Sequence, residues 1–188
     1  TVYPPTRSFC DQYLAGMDVT VDYYDPLVGA GIESLIQPET RVIFLESPGS
    51  FTFEVQDIPA ITAVARKHGI ITVLDNTWST PLFFKSFSHG VDVSVHAATK
   101  YLSGHSDVLM GAIICAEHTW DQVKRTHRHL GQCVGPDDVY VTLRSVRNLS
   151  TRLNAHEKQG LALAKWLSQR DEVSTVLHPG LADHAGHA

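Results

Sequence analysis

The sequence predicts an α/β domain: a mostly parallel sheet flanked by helices and followed by a long linking helix. Three observations carry that prediction. Short runs rich in Val and Ile alternate with helix-patterned segments along the chain. The apolar centres of two runs, Val42-Ile43-Phe44-Leu45 and Ile70-Ile71-Thr72-Val73-Leu74, are continuous, as parallel strands covered on both faces are. A single helix pattern separates them, which makes a strand–helix–strand crossover unit.

The chain opens on Thr1-Val2-Tyr3, which reads as the end of a strand already under way, and stops at Ala188 in a Gly/His-rich turn. Both ends predict a piece of a longer protein. Strands are expected at 19–23, 41–47, 70–76, 91–97 and 110–115. Asp57 is placed to cap a helix with Pro59 in its first turn, residues 60–68 as its body and Gly69 just past its end. After Cys115 the pattern changes. A polar helix is expected at 119–130, a turn at Gly135-Pro136, and an almost Gly-free helical stretch at 137–170, continuous or broken near Ser150. Leu153, Ala155, Leu161, Leu163, Trp166 and Leu167 are its candidate apolar stripe. Residues 173–178 read as a further strand. The expected organisation is a core at 1–135, a helical link at 136–170 and the start of a second unit at 171–188.

Composition narrows the function. With 43% hydrophobic and 19% charged residues the 188-residue chain is globular in character, not disordered. A net charge of −5 offers no general positive field to nucleic acid. No apolar run approaches the roughly 18 residues of a membrane-spanning helix. Cys10, Cys115 and Cys133 stand in no metal or redox spacing, which predicts reduced thiols and a cytoplasmic location. Eleven histidines invite a metal reading. His127 and His129 are two apart, though, so one helix face does not present both, and no His-Glu-x-x-His motif occurs. No metal is expected. The chain also lacks the Gly-x-Ser-x-Gly elbow of α/β hydrolases and a Gly-x-Gly-x-x-Gly dinucleotide loop.

In open α/β sheets ligands gather beyond the carboxyl ends of the strands. Three segments lie there: Glu46-Ser47-Pro48-Gly49-Ser50, Asp75-Asn76-Thr77-Trp78 and Ala97-Ala98-Thr99-Lys100. Asp75 is either a turn-forming acceptor or a charge held for a cationic ligand atom. Lys100 is either a solvated surface charge or an amine available for Schiff-base chemistry. His105, in Gly104-His105-Ser106-Asp107, belongs to a loop expected to pack against the site, with Ser106 or Asp107 fixing its turn.

Asp75-Asn76-Thr77, then Ala98-Thr99-Lys100-Tyr101, then Gly104-His105-Ser106-Asp107 resembles the Cys/Met-metabolism family of fold-type I enzymes that use pyridoxal phosphate. Tyr24-Asp25-Pro26-Leu27, Phe44-Leu45-Glu46-Ser47-Pro48-Gly49-Ser50 and Glu54-Val55-Gln56-Asp57 extend the resemblance, which runs from Thr1 to His178. It implies the large domain of a fold-type I enzyme, incomplete in these residues. It also implies roles. Lys100 holds the cofactor covalently and serves as catalytic base, Asp75 pairs with the pyridine nitrogen, and Thr99 donates to the phosphate. Tyr3 stacks on the ring and sits near the reacting amine.

Two departures from the family pattern matter. Ala97 stands where many members have Ser as a second phosphate donor, so that bond is absent or comes from elsewhere, for example the backbone. Ser50 stands where γ-acting members have Asn, which favours the β-eliminating branch and puts an amide contact to the ring oxygen in doubt. The implied reaction is β-elimination of the sulfur amino acid cystathionine to homocysteine, pyruvate and ammonia, with a γ-acting relative as the alternative. The implied assembly is a homotetramer of two dimers. The phosphate-binding turn and the arginine for the substrate carboxylate are expected outside these residues, leaving the 188-residue piece inactive alone.

Overall fold

The computed structural model describes residues 2–187. Its centre is a four-stranded sheet in the order β1-β2-β3-β4, made of β1 (Val42–Glu46), β2 (Ile71–Asp75), β3 (Val93–His96) and β4 (Ala112–Cys115). The first three strands are parallel and β4 is antiparallel to β3. The sheet is therefore mostly parallel. Each strand is shorter than its sequence pattern, because Ser47, Asn76, Ala97 and Met110 leave the ladder to build turns at its ends.

The first helix, α1 (Pro4–Phe9), has prolines in its first turn, where no helical N–H is lost. It continues through a π-helical turn at Cys10–Leu14 and a 3-10 turn at Ala15–Met17, and stops at Asp18 with φ +58°. This helix was not expected. Neither Val2 nor Tyr3 is in a strand, and Thr1 lies outside the described residues. Residues 19–23 do not form a strand either. Among the described residues they pair with no strand, and Tyr23 is tied by side chains to α1 and to the π-helical turn after it. The Tyr23 hydroxyl donates to Asp11 Oδ1 at 2.6 Å, and the Arg7 guanidinium lies 4.0 Å from the Tyr23 ring centroid.

Helix α2 (Ile58–Lys67) follows the sequence pattern closely. Asp57 caps it by accepting from Ala60 N at 3.0 Å, and Gly69 turns the chain at φ +66°. Its Ile58, Ile61 and Ala65 are buried against Ile43, Leu45 and Leu74, and Leu45 and Ile61 are fully buried. On β2, Thr72 and Leu74 are buried while Ile71 and Val73 are only half-buried, so among the described residues one face of the sheet is covered more completely than the other.

A short helix α3 (Thr80–Phe83) leads from β2 towards β3. Beyond β4 come α4 (Glu117–His129), α5 (Pro136–Val146) and α6 (Leu149–Leu167), with the helical stretch broken at Arg147-Asn148. On α6, Leu153 and Ala164 are buried, whereas Ala155, Leu163 and Trp166 face outward, so the stripe is narrower than expected. Residues 173–178 carry no strand, because no ladder partner reaches them. That stretch runs as irregular chain and turns.

Candidate active site

The parallel register aligns Glu46 with Asp75 and Asp75 with Val95, so the ends of β1, β2 and β3 form one row. Glu46 is almost fully buried. Its Oε2 accepts from the backbone N–H of Tyr3 at 2.8 Å, and its Oε1 accepts from the Ser50 hydroxyl. Ser50 is thus turned onto Glu46. The backbone of the same turn is held by Gln56. Its Nε2 donates to Glu46 O at 2.9 Å, its N–H donates to Ser47 Oγ at 3.0 Å, and its Oε1 accepts from Tyr24 at 3.0 Å.

Asp75 uses one oxygen locally. Its Oδ1 accepts from Thr77 N at 2.9 Å, the turn-forming role common for Asp at a strand end. Its Oδ2 has no hydrogen bond among the described residues. The Thr77 hydroxyl in turn accepts from Ala97 N at 2.8 Å, tying the turn after β2 to the turn after β3. Beneath lie two buried polar side chains. Asn76 Nδ2 donates to Phe84 O at 3.0 Å, and His96 Nε2 lies 3.1 Å from Ser94 Oγ. Asn76 Oδ1 and His96 Nδ1 have no hydrogen-bond partner among the described residues. Burial lowers the pKa of His96, against the opposing pull of the Asp75 carboxylate, and favours the neutral imidazole.

Lys100 is exposed, and its Nζ lies 5.0 Å from the centroid of the Tyr3 ring. The spacing suits a cation–π contact, so Tyr3, anchored by Glu46, supplies an aromatic face to the amine. The four amides leading up to and including that of Lys100 are engaged. The amides of Ala97, Ala98, Thr99 and Lys100 donate to Thr77 Oγ1, His96 O, Met110 O and Ala97 O respectively. None of these four remains to replace the donor that Ala97 lacks. The Thr99 hydroxyl donates to Met110 O at 3.1 Å and accepts from Met110 N at 2.9 Å. Its single proton therefore has a protein acceptor, and donation to a phosphate requires it to leave that carbonyl.

The turn after Lys100 is not fixed by Ser106 or Asp107, neither of which makes a side-chain hydrogen bond among the described residues. Ser103 fixes it from within, donating from Oγ to Thr99 O at 2.8 Å, and Arg152 of α6 fixes it from outside through the carbonyls of Tyr101 and Leu102. His105 is exposed, and its Nδ1 lies 2.6 Å from Ser103 O and 3.4 Å from Ser145 Oγ of α5.

Pyridoxal phosphate needs a primary amine, an anion for its ring nitrogen and a flat apolar surface. Lys100, the Asp75 oxygen without a hydrogen bond and the Tyr3 ring supply these at the carboxyl edge of the sheet, and they fit the group. The family model for Cys/Met metabolism PLP-dependent enzymes matches residues 1–188. The chain belongs to that family. A Saccharomyces cerevisiae protein is 53% identical over 187 residues, spanning 100% of this chain and 55% of its own length. The cystathionine beta-lyase of Haemophilus influenzae is 46% identical over 98% of this chain and 47% of its own. The crystal structure of a cystathionine gamma-lyase from Lactobacillus plantarum, complexed with L-serine, superposes with a TM-score of 0.95 at 28% identity. It covers 98% of this chain and 49% of that one. The chain thus spans about half the length of the curated relatives it matches.

Of the candidate residues, the structure brings Tyr3 and the Lys100 amine together, ends β2 on Asp75, and puts Thr99 in the turn that follows β3. Three contributors escape a reading by sequence: Glu46 as the anchor of Tyr3, His96 as the buried neighbour of Asp75, and Arg152. Glu46 stands in a quoted motif, but nothing in the motif says which backbone it holds. Arg152 lies 52 positions after Lys100 with no local signal.

Proposed function

We propose that the protein is a pyridoxal-phosphate-dependent carbon–sulfur lyase that cleaves L-cystathionine to homocysteine, pyruvate and ammonia. The observation that carries this reading is the exposed Lys100 amine over the Tyr3 ring, on the turn beside the strand ends that bear Asp75 and Glu46. Support comes from relatives that bear the name cystathionine beta-lyase.

Lys100 Nζ is the atom that would hold the cofactor. Asp75 Oδ2 would sit against the ring nitrogen and keep it protonated, while Oδ1 remains with Thr77. Tyr3 would pack its face on the ring, its backbone pinned by Glu46. When bound, pyridoxal phosphate supplies an electron sink for the negative charge left at the substrate Cα. The Lys100 amine takes the Cα proton and can return a proton later, as a general base and then an acid. Loss of the Cβ–S bond releases homocysteine, and water carries the remaining three-carbon unit to pyruvate and ammonia.

Residues 1–135 are read as the cofactor-binding unit, 136–170 as its link and 171–188 as the start of the next. The three cysteines are free, in keeping with a reducing, cytoplasmic setting, and the assembly is read as a homo-oligomer. The test has two arms. Borohydride reduction of the holoenzyme followed by peptide mapping should label Lys100. Turnover of cystathionine should yield homocysteine and pyruvate. Cysteine and 2-oxobutyrate instead would mean γ-elimination, and a label on another lysine would reject the site.

A further inference from the structure

The exposed Lys100 side chain makes no hydrogen bond or ion pair among the described residues, yet its amine has to act at a defined point. What holds its backbone is therefore a functional question. Upstream, Thr99 is locked to Met110 through its N–H and its hydroxyl. Downstream, four consecutive carbonyls are occupied. Thr99 O accepts from Ser103 Oγ and Lys100 O accepts from Gly104 N at 2.7 Å, both within the turn. Tyr101 O and Leu102 O have no donor within the turn, and both receive one from Arg152.

Arg152 is on the first turn of α6. Its Nη1 donates to Tyr101 O at 2.7 Å, and its Nη2 donates to Ser145 O at 3.0 Å and to Leu102 O at 3.4 Å. Its Nε donates to Asn148 Oδ1 at 2.7 Å, which orients the planar fork. One side chain thus joins the lysine turn, the end of α5 and the start of α6. Burial lowers its pKa, but a guanidinium stays charged at any working pH.

Two further contacts point to the same face of α6. Gly104 has φ +75°, and a Cβ there would lie 2.6 Å from Arg152 Cζ and closer still to Nη1. The turn thus needs a glycine both for its backbone and for the space the guanidinium fills. One helical turn beyond Arg152, His156 packs its ring 5.8 Å from the ring of Tyr101. The residue after the lysine is therefore gripped at its carbonyl and at its side chain by one helix.

We propose that Arg152 is a positioning residue for Lys100, acting through the carbonyls of Tyr101 and Leu102. The proposal rests on Lys100 being the cofactor lysine. Lys100 has to serve successively as the holding group and as a proton carrier, and a displacement of about 1 Å in such a group can cost about a hundredfold in rate. A lysine at 152 can reach one carbonyl but cannot fork between two segments.

The experiment compares Arg152→Lys and Arg152→Met in the holoenzyme. Turnover per bound cofactor is measured with KM, alongside amide hydrogen exchange of residues 99–104 in the cofactor-free protein. For Arg152→Lys the expected result is kcat per bound cofactor lowered at least tenfold, KM within twofold, and exchange at 101–104 faster by tenfold or more. Arg152→Met should be worse on both counts. A purely structural role would lower the melting temperature and the amount of folded, loaded enzyme yet leave kcat per bound cofactor unchanged, and that overturns the proposal. Unchanged exchange in Arg152→Lys also overturns it. If Arg152→Met does not fold, Arg152→Lys alone decides. The borohydride label on wild-type protein separates the two readings. A label away from Lys100 removes the functional site, whereas a label on Lys100 with full turnover in Arg152→Lys removes only the positioning role.

Discussion

Replacing Thr99 with Val removes a hydroxyl and keeps the shape. Two hydrogen bonds go: the one to Met110 O at 3.1 Å and the one from Met110 N at 2.9 Å. The two losses are unequal. Met110 O still receives the Thr99 amide at 3.0 Å, whereas the Met110 amide is left without an acceptor. A typical net hydrogen bond is worth about 1 kcal/mol, and an orphaned amide adds about 1 kcal/mol at a half-buried position. The expected loss is about 1.5–3 kcal/mol, or roughly 3–10 °C in melting temperature for a chain of this length. Thermal unfolding of Thr99→Val, with Thr99→Ser as the hydroxyl-retaining control, reads this directly. Comparing cofactor-free and loaded protein adds the functional half. If the phosphate draws the proton away from Met110 on loading, cofactor binding weakens as well, and the stabilisation that loading confers shrinks. If the hydroxyl stays with Met110, both forms lose stability equally. A cofactor-free Thr99→Val that melts within 1 °C of wild type would falsify the account of this turn.

Asp75→Asn should still load cofactor but lose about ten- to a hundredfold in kcat, from about 1.5–3 kcal/mol of charge-assisted bonding; parental turnover would remove Asp75 from the site. Gly104→Ala should cost about 2–4 kcal/mol, combining left-handed strain with displacement of the half-buried Arg152 fork, and a loss below 1 kcal/mol in urea unfolding would contradict the close packing. The folded pKa of His96 is lowered, so as pH falls the unfolded chain takes up this proton first. Stability owed to neutral His96 is then complete above about pH 6.5 and is lost as pH drops to and through its folded value. Urea midpoints should therefore fall more steeply from pH 7.5 to 5.5 in wild type than in His96→Gln, and parallel slopes would refute it.

Local patterns were legible where one stretch of chain contains its own answer. The crossover unit reads directly, because the Asp57 cap, Pro59, the apolar face of α2 and Gly69 are all local devices. Residues 19–23 and 173–178 look like strands by composition, but a strand exists only where another edge accepts its hydrogen bonds. Neither stretch has one among the described residues. Helix α1 lies where the opening residues read as the end of a strand; Pro4 and Pro5 stand at its first helical positions, where proline favours the helix.

By itself the sequence determined the alternating α/β plan, the existence of the four strands though not their ends, and the motifs that identify the family around Lys100. All of these are encoded over a few adjacent residues or in an ordered set of short motifs. Only the tertiary structure decided what holds the site in place. Glu46 and Tyr3 are 43 residues apart, and Arg152 and Tyr101 are 51 apart. The donors and acceptors they join are backbone groups, which every residue carries and which leave no mark in the sequence. Which backbone group each side chain meets is settled by the packing of the chain before α1 against the end of β1 and by the seating of α6 on the lysine turn. Those are consequences of packing.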